Sequence, residues 1–234
     1  MRATSGEFLA EGPQAVREAL AVGAAIEVFA TSKFDGWGAA DNQPTWHTVG
    51  DEVIADIADA VTPQGIVARC RSVVRTLDAL PSDARLVAVG VDVRDPGNAG
   101  SIIRAADAAG ADAVVFAGDS VDPLNPKSVR ATVGSLFHLP VIVERDLAAV
   151  VAALRERGMR LLAADGGGET DLFDADLAQP TAWLFGNEAH GLGASADAAD
   201  LRVAIPIYGR AESLNLATAA AVCLLTSARA LRKN

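Results

Sequence analysis

The sequence predicts an α/β fold built on a parallel sheet, with a smaller α/β unit in front of it. From residue 86 onward, apolar segments typical of strands alternate with amphipathic segments typical of helices. This alternation is characteristic of parallel strands joined by crossover helices on both faces of the sheet. A turn-forming segment at 80–83, which contains Pro81, separates this region from the N-terminal part. We therefore expect two domains, residues 1–80 and residues 83–234.

In the N-terminal unit, Val16, Ala19 and Leu20 have the spacing of one helix face. The predicted elements of this unit are, in order, a helix that ends at Gly23, a strand over 26–32, a short strand around Trp46, a helix capped by Asp51 that runs to about residue 60, and a strand over 65–74.

In the larger unit, strands are predicted over 86–92, 113–117, 139–143, 160–164, 181–185 and 202–205, and helices over 98–109, 126–133, 146–157 and 213–231. In such sheets, ligands bind at the carboxyl ends of the strands. The chemically informative segments of this sequence all lie just after predicted strands.

The composition is that of a folded chain, with half of the 234 residues hydrophobic and 21% charged. The longest apolar runs are far shorter than the ~20 residues of a membrane-spanning helix, and no signal peptide is visible, so we expect a cytoplasmic protein. Cys70 and Cys223 lie far apart among apolar residues, which excludes a disulfide scaffold or zinc module and indicates core positions. The net charge of −10 argues against a broad basic face for nucleic acid.

The first informative segment is DPGNAGSIIRAADAAG, residues 95–110. Asn98 stands at a predicted N-cap position, and Arg104 is out of phase with the apolar stripe of the helix. A helix N-terminus with an arginine beside it suits a phosphate or a developing oxyanion. Ordinary capping and a solvated arginine explain the same pattern, and this alternative stays open.

The second and third segments are LFGNEAHGLG, residues 184–193, and IPIYGRAESLNLATAAA, residues 205–221. Glycines let a backbone approach a ligand closely, although a simple strand-to-helix turn explains the second segment equally well. Glu188 and His190 are a weak metal signal because no third ligand lies nearby, so no metal is predicted. In the third segment, Ser213 is a candidate N-cap and Asn215 can reach into a site. The sequence contains neither a P-loop nor a nucleophile elbow.

Together, these three segments resemble, in order and spacing, the three motifs of the SpoU/TrmH family of RNA ribose methyltransferases within the SPOUT superfamily. DPLNPKSVRATVGSLFHLPV, residues 122–141, also fits the segment that follows the first motif. The N-terminal unit is similar to the small ribosomal-protein-like substrate-binding domain of many members. The resemblance implies a SPOUT-type parallel sheet with a C-terminal trefoil knot, a homodimer with active sites at the subunit interface, and S-adenosylmethionine (AdoMet) as the cofactor.

The resemblance also implies roles for particular residues. The residues implied to hold the cofactor, largely through backbone groups, are Leu184, Gly186, Ile205 and Leu214. Those matching the family's polar active-site residues are Asn98, Arg104, Glu188, Ser213 and Asn215. The candidates for RNA contact are local basic clusters, which solvated surface charge explains equally well: Arg69, Arg71, Arg75, Arg94, Lys127 and Arg130.

The implied activity is methylation of a ribose 2′-hydroxyl of RNA, with ribosomal RNA favoured over transfer RNA. Arg104 matches the family's proposed base, but a guanidinium group does not readily give up its proton, which suits it better to binding a phosphate and stabilising a developing alkoxide. The small residues of the helix from Ser213 predict a close neighbour, and hence a dimer. Two alternatives stay open: an inactive RNA-binding or ribosome-assembly protein on the same fold, and a different nucleotide-dependent enzyme.

Overall fold

A four-stranded sheet forms the N-terminal part of the computed structural model, which describes residues 6–37 and 44–232. Its strands lie in the order β1-β4-β2-β3, with β4 antiparallel to β1 and β2, and with β2 parallel to β3. The strands and helices of this part are β1 (Glu7–Glu11), α1 (Pro13–Ala21), β2 (Ala25–Ala30), β3 (Thr45–Thr48), α2 (Asp51–Ile57) and β4 (Ile66–Arg71).

An eight-stranded sheet forms the larger part, in the order β10-β12-β9-β11-β6-β7-β8-β5. Every neighbouring pair is parallel, so the predicted parallel α/β fold is confirmed. The strands are β5 (Val74–Arg75), β6 (Leu86–Val91), β7 (Ala113–Ala117), β8 (Val141–Glu144), β9 (Arg160–Ala164), β10 (Thr170–Asp171), β11 (Thr181–Phe185) and β12 (Leu201–Ala204). The helices are α3 (Pro96–Ala109), α4 (Pro126–Thr132), α5 (Leu147–Glu156) and α6 (Leu216–Leu231). Strand order alone does not establish the trefoil knot, which stays a prediction from the family fold.

The central strands are buried on both faces, which is why they read as continuous apolar runs. Alternate residues of β6 belong to two separate core clusters: Leu86 lies in the cluster that includes α3 and α6, and Val87 lies in the cluster that includes α5. Trp183 is fully buried, and its indole Nε1 donates to the hydroxyl of Ser227 at 2.8 Å. No helix in the described ranges is long and apolar enough to span a membrane.

Several predicted boundaries differ from the structure. Strand β1 was not predicted, because its five residues, EFLAE, include two glutamates. Strand β5 pairs with β8, so the chain enters the large sheet at Val74, before the predicted boundary at 80–83. A two-residue strand is too short for a hydrophobic period to reveal it.

Three predicted helix caps also differ. Asp95 rather than Asn98 caps α3, and Asn215 rather than Ser213 caps α6. Asp51 is the first residue of α2 and not its cap, because Gly50 precedes it there. Asp, Asn and Ser are all strong N-cap residues, so neighbouring candidates cannot be ranked from local sequence.

Polar contacts fix the small domain against α4. The side chain of Glu11 is only 5% exposed, and its carboxylate accepts from the backbone amides of Asp59 and Ala60 at 3.0 and 3.1 Å. Arg130 of α4 reaches both Glu11 at 3.3 Å and Asp59 at 2.7 Å. A buried carboxylate with three partners is costly to disrupt, so this contact holds the two domains in one arrangement.

His138 joins the same two domains through two carboxylates. Its Nδ1 lies 2.8 Å from Asp107 of α3, and its Nε2 lies 3.2 Å from Glu18 of α1. The hydrogen bond to Asp107, supported by the one to Glu18, raises the pKa of His138 above its ordinary value of 6.5 despite some desolvation.

We predict that this histidine makes folding stability depend on pH. A raised folded pKa contributes stability that is complete below pH 6.5, the unfolded value, and is lost as the pH rises through the folded pKa. In denaturant titrations across this range, His138→Gln should flatten the pH dependence of the free energy of unfolding. The control is His190→Gln, at an exposed histidine with no ion-pair partner among the described residues. Equal pH slopes for wild type and His138→Gln would contradict the prediction.

Candidate active site

A cavity of about 890 Å³ opens at the carboxyl ends of β9, β11 and β12. It has the size of a small-molecule site and lies where parallel α/β sheets bind ligands. All three segments singled out in the sequence contribute to its wall, the first through Asn98, the second through the turn after β11 and the third through the loop before α6. The structure therefore brings together segments that are up to 117 residues apart along the chain.

A chain of side-chain hydrogen bonds runs along the wall of this cavity. Asn215 Nδ2 donates to Asn98 Oδ1 at 2.9 Å, and Asn98 Nδ2 donates to Glu188 Oε1 at 3.0 Å. Each of the three residues comes from a different segment. The structure thus brings these three polar residues together, and the two hydrogen bonds fix the orientation of the Asn98 amide.

The carboxylate of Glu188 also accepts from the turn before α3. The backbone amides of Arg94 and Asp95 donate to its two oxygens at 3.3 and 3.2 Å. Desolvation raises the pKa of Glu188, but the hydrogen bonds from Asn98 and from these amides outweigh it and hold the pKa below its usual value. Glu188 is therefore an ionised hydrogen-bond acceptor at neutral pH.

Asn215 has two roles because it caps α6. Its Oδ1 accepts from the amides of Ala217 and Thr218 at 2.9 and 3.2 Å, while its Nδ2 reaches Asn98. A helix cap thus becomes part of the site. Ser213, predicted to be that cap, instead lines the cavity from the loop before the helix.

The start of α3 is held by a charged pair. Asp95 Oδ1 accepts from the backbone amide of Asn98 at 2.8 Å, and Asp95 Oδ2 lies 2.8 Å from Lys127 Nζ. The hydrogen bond from Lys127, followed by that from the Asn98 amide, lowers the pKa of Asp95. These contacts position the helical turn that carries Asn98.

Gly186 allows two backbone segments to meet at the end of β11. A Cβ at this position would overlap the backbone of Gly191 and Leu192. The turn is closed by reciprocal backbone hydrogen bonds between Asn187 and Gly191, both 2.8 Å, and by Asn187 Nδ2, which donates to the carbonyl of Asp92 at 2.8 Å. Only glycine fits there, which accounts for the first glycine of this segment.

The predicted cofactor residues fall into two groups. Gly186, Ile205 and Leu214 all line the cavity. Leu184 does not, because its side chain is fully buried in the core cluster that includes α5. A cofactor contact by Leu184 stays a prediction.

Arg104 is not brought to the cavity within one chain. It is exposed on α3 and is absent from the cavity wall. Within residues 6–37 and 44–232, its guanidinium has no hydrogen-bond or ion-pair partner.

Internal ion pairs occupy most of the predicted RNA-binding residues. The pairs are Arg69 with Glu7 and Glu27, Arg94 with Asp119, Lys127 with Asp95, and Arg130 with Glu11 and Asp59. Arg71 and Arg75 are exposed, and among the described residues the guanidinium of Arg71 donates only to the carbonyl of Gly23, at 3.4 Å. RNA contact by any of these residues stays a prediction, and the ion pairs count most against Arg69, which two carboxylates neutralise.

Two further residues of the site were not predicted from the sequence. Asn187 closes the turn that contains Gly186, and Asp165 lines the cavity at the end of β9. Asp165 directly precedes three consecutive glycines at 166–168, a pattern that lets a backbone approach a ligand closely and that could have indicated this loop. The described residues contain no cluster of three metal-ligating side chains. The expectation of no metal stays a prediction.

The fold and site define an α/β protein that binds a small ligand where strands of a parallel sheet end, beside a fixed polar network. Comparison with protein families makes this specific. Residues 85–225 match the SpoU rRNA Methylase family, and residues 1–68 match the MRM3-like substrate binding domain. The chain belongs to the SpoU rRNA methylase family.

Relatives and solved structures agree with this assignment. The chain is 33% identical to the 23S rRNA (guanosine(2553)-2′-O)-methyltransferase RlmP of Bacillus subtilis, over 94% of this chain and 88% of that protein. It is 36% identical to the 23S rRNA (uridine(2479)-2′-O)-methyltransferase of Streptomyces viridochromogenes, over 97% and 84%. The structure of the SpoU methyltransferase AviRb from the same organism, in complex with the cofactor AdoMet, aligns with a TM-score of 0.86 at 32% identity, over 97% of this chain and 91% of that chain.

We predict that the two roles of Asn215 can be separated. Asn215→Ala loses both the cap and the hydrogen bond to Asn98, and the lost cap should cost about 1 kcal/mol of folding free energy. Asn215→Ser keeps a capping oxygen but is too short to reach Asn98, so it should unfold like wild type. Methyl transfer to RNA, the activity of the relatives named above, should fall in both variants. Full transfer by Asn215→Ser would show that the contact with Asn98 is not needed.

Proposed function

We propose that this protein transfers a methyl group from AdoMet to a ribose 2′-hydroxyl of ribosomal RNA. The observation that carries the proposal is the network of Glu188, Asn98 and Asn215 in the cavity wall. The relatives named above support ribosomal over transfer RNA, because both modify 23S rRNA. The cytoplasmic location expected from the sequence is part of this proposal.

The cavity suits an adenosyl ligand with a positive charge. Its wall combines apolar side chains, such as Ile205 and Leu214, with the close backbone approach at Gly186. Its charged side chains are all acidic: Asp165, Glu188 and Glu212. When bound, AdoMet supplies an activated methyl group on a sulfonium cation, and Gly186, Ile205 and Leu214 are the residues that would hold it.

The chain's own residues orient the hydroxyl that is methylated. Asn98 is fixed at both ends of its amide, so it presents a rigid polar surface where the RNA ribose has to lie. Holding reactants in this way accounts for roughly 7–11 kcal/mol of barrier reduction in favourable cases. Glu188 is better suited to fixing Asn98 than to accepting the hydroxyl proton, because its lowered pKa makes it a weak base.

In this proposal, a second subunit supplies a positive charge near the reacting oxygen. The described cavity wall contains no lysine or arginine, while Arg104 lies unpaired on an exposed face. We propose a homodimer through the outer faces of α3 and α6. On α6, this face carries Thr218, Ala221 and the half-exposed Leu225 at helical spacing, and an apolar surface of this kind is typical of an interface.

The alternative is an inactive RNA-binding or assembly protein on the same fold. The intact polar network favours an enzyme, because a binding protein has no need to fix an amide beside a cofactor-sized cavity.

The direct test combines a labelling assay with one variant. Purified protein, unmodified 23S rRNA and AdoMet should give one 2′-O-methylated nucleotide, detected by mass spectrometry of RNA digests. Arg104→Ala should lower transfer by ~10²-fold or more through loss of charge stabilisation. Its cofactor affinity in calorimetry should stay within a factor of two of wild type. Cofactor binding without methylation of ribosomal or transfer RNA would favour the inactive alternative.

The proposed dimer can be tested on α6. Leu225→Glu places an unpaired charge in the interface and should raise the dimer dissociation constant at least ~100-fold, measured by light scattering at micromolar concentration. The matched control is Val22→Glu in the small domain, at a residue that is 51% exposed, as against 50% for Leu225. A wild-type monomer under these conditions would refute the dimer.

A further inference from the structure

Asp165 is a cavity residue that none of the three family-like segments contains. It directly follows β9, which lies next to β11 and β12, and both Asp165 and Gly166 line the cavity. Asn98 follows β6, on the opposite side of β11. Asp165 therefore faces the part of the cavity that is remote from the polar network.

The carboxylate of Asp165 is held in a single orientation. Its Oδ1 accepts from the backbone amide of Gly167 at 2.9 Å. Its Oδ2 accepts from Arg202 twice, from Nε at 3.0 Å and from a terminal nitrogen at 2.6 Å. The hydrogen bond from Gly167 and the contacts with Arg202 outweigh desolvation and lower the pKa of Asp165, so the group is ionised.

Counting acceptor sites leaves one for a ligand. A carboxylate has about four lone-pair positions, two on each oxygen. Arg202 takes both positions on Oδ2, and Gly167 takes one on Oδ1. The side chain is 25% exposed and Asp165 is a cavity-lining residue, so the remaining position on Oδ1 is accessible to a hydrogen-bond donor.

Charge decides which kind of donor fits. Arg202 neutralises Asp165, so the pair suits a neutral hydroxyl better than an ammonium group. Glu212 also lines the cavity and has no ion-pair partner within the described ranges, so it is the better partner for a cation. In other nucleotide-binding α/β folds, an acidic residue near the sheet edge accepts a hydrogen bond from a ribose hydroxyl.

We propose that Asp165 Oδ1 accepts a hydrogen bond from a ribose hydroxyl of the adenosyl cofactor, and that Arg202 is the positioning residue that holds Asp165 for this contact. The inference rests on the proposed function, because it needs an adenosyl ligand in this cavity. It adds a cofactor-specificity residue that acts on binding rather than on the transfer step.

The test measures affinity by calorimetry, without turnover. The probes are S-adenosylhomocysteine and its 2′-deoxy and 3′-deoxy analogues. Asp165→Asn should bind S-adenosylhomocysteine ~10- to 100-fold more weakly, as expected for loss of a hydrogen bond to a charged group. Wild type should show a similar loss with at least one deoxy analogue, and Asp165→Asn should show little further loss with that analogue.

Two further variants separate a specific contact from a general charge effect. Arg202→Gln should weaken S-adenosylhomocysteine and should also reduce the discrimination against the deoxy analogue, which a merely structural defect would not do. The matched control is Asp197→Asn, at an exposed carboxylate that interacts with Arg202 but lies outside the cavity wall. It should bind like wild type.

The possible failures are distinguishable. If wild type binds S-adenosylhomocysteine and both deoxy analogues equally well, the contact with Asp165 is refuted and the proposed function stands. Equal affinity of Asp165→Asn and wild type for S-adenosylhomocysteine would also refute the contact with Asp165 and leave the proposed function standing. If wild type binds neither AdoMet nor S-adenosylhomocysteine, the proposed function fails. The comparison of analogues on wild type needs no variant, so it remains valid if Asp165→Asn does not fold.

Discussion

The negative charge of Glu188 is the constraint on which the site depends. Hydrogen bonds run in one direction from Asn215 to Asn98 and from Asn98 to Glu188, because an amide must donate at one end and accept at the other. An acceptor-only group at the end of this chain determines which way both amides point. The same carboxylate ties the turn after β11 to the turn before α3. Without it, the Asn98 amide and the backbone amides of Arg94 and Asp95 would lose a shared acceptor.

The sequence predicted the parallel sheet and the meeting of three segments because both follow from strong local patterns. Buried parallel strands are continuous apolar runs, and parallel strands necessarily end at one edge of the sheet. The roles of single residues were harder to predict. The sequence predicts Asn98 and Ser213 as N-caps, whereas Asp95 and Asn215 are the N-caps in the structure. Local sequence cannot show which of two neighbouring polar residues is the N-cap, because the packing of the whole helix determines where its first turn begins.

The contacts in the structure also change what the net negative charge of the chain implies for RNA binding. Counting charges along the sequence treats every arginine and lysine as available to RNA. In the structure, Lys127 stabilises the turn that carries Asn98, and Arg130 holds the small domain on α4. Part of the positive charge thus maintains the architecture. Four of the six basic residues considered for RNA contact are in ion pairs, while Arg71, Arg75 and Arg104 form no ion pair within the described residues.

Arg104 is one of the cations that form no ion pair within the described residues, and its position bears on how the protein assembles. The described cavity wall contains three carboxylates and no cation, which suits a cationic cofactor but opposes an RNA phosphate and a developing alkoxide. Lys127 is near but is already paired with Asp95. Arg104 is unpaired and exposed, on the helix that also carries Asn98. In a dimer that covers the outer face of α6, a second copy buries the apolar surface at Leu225. The same association supplies the positive charge of Arg104 to the site. The exposed leucine and the arginine without an ion pair therefore have one explanation.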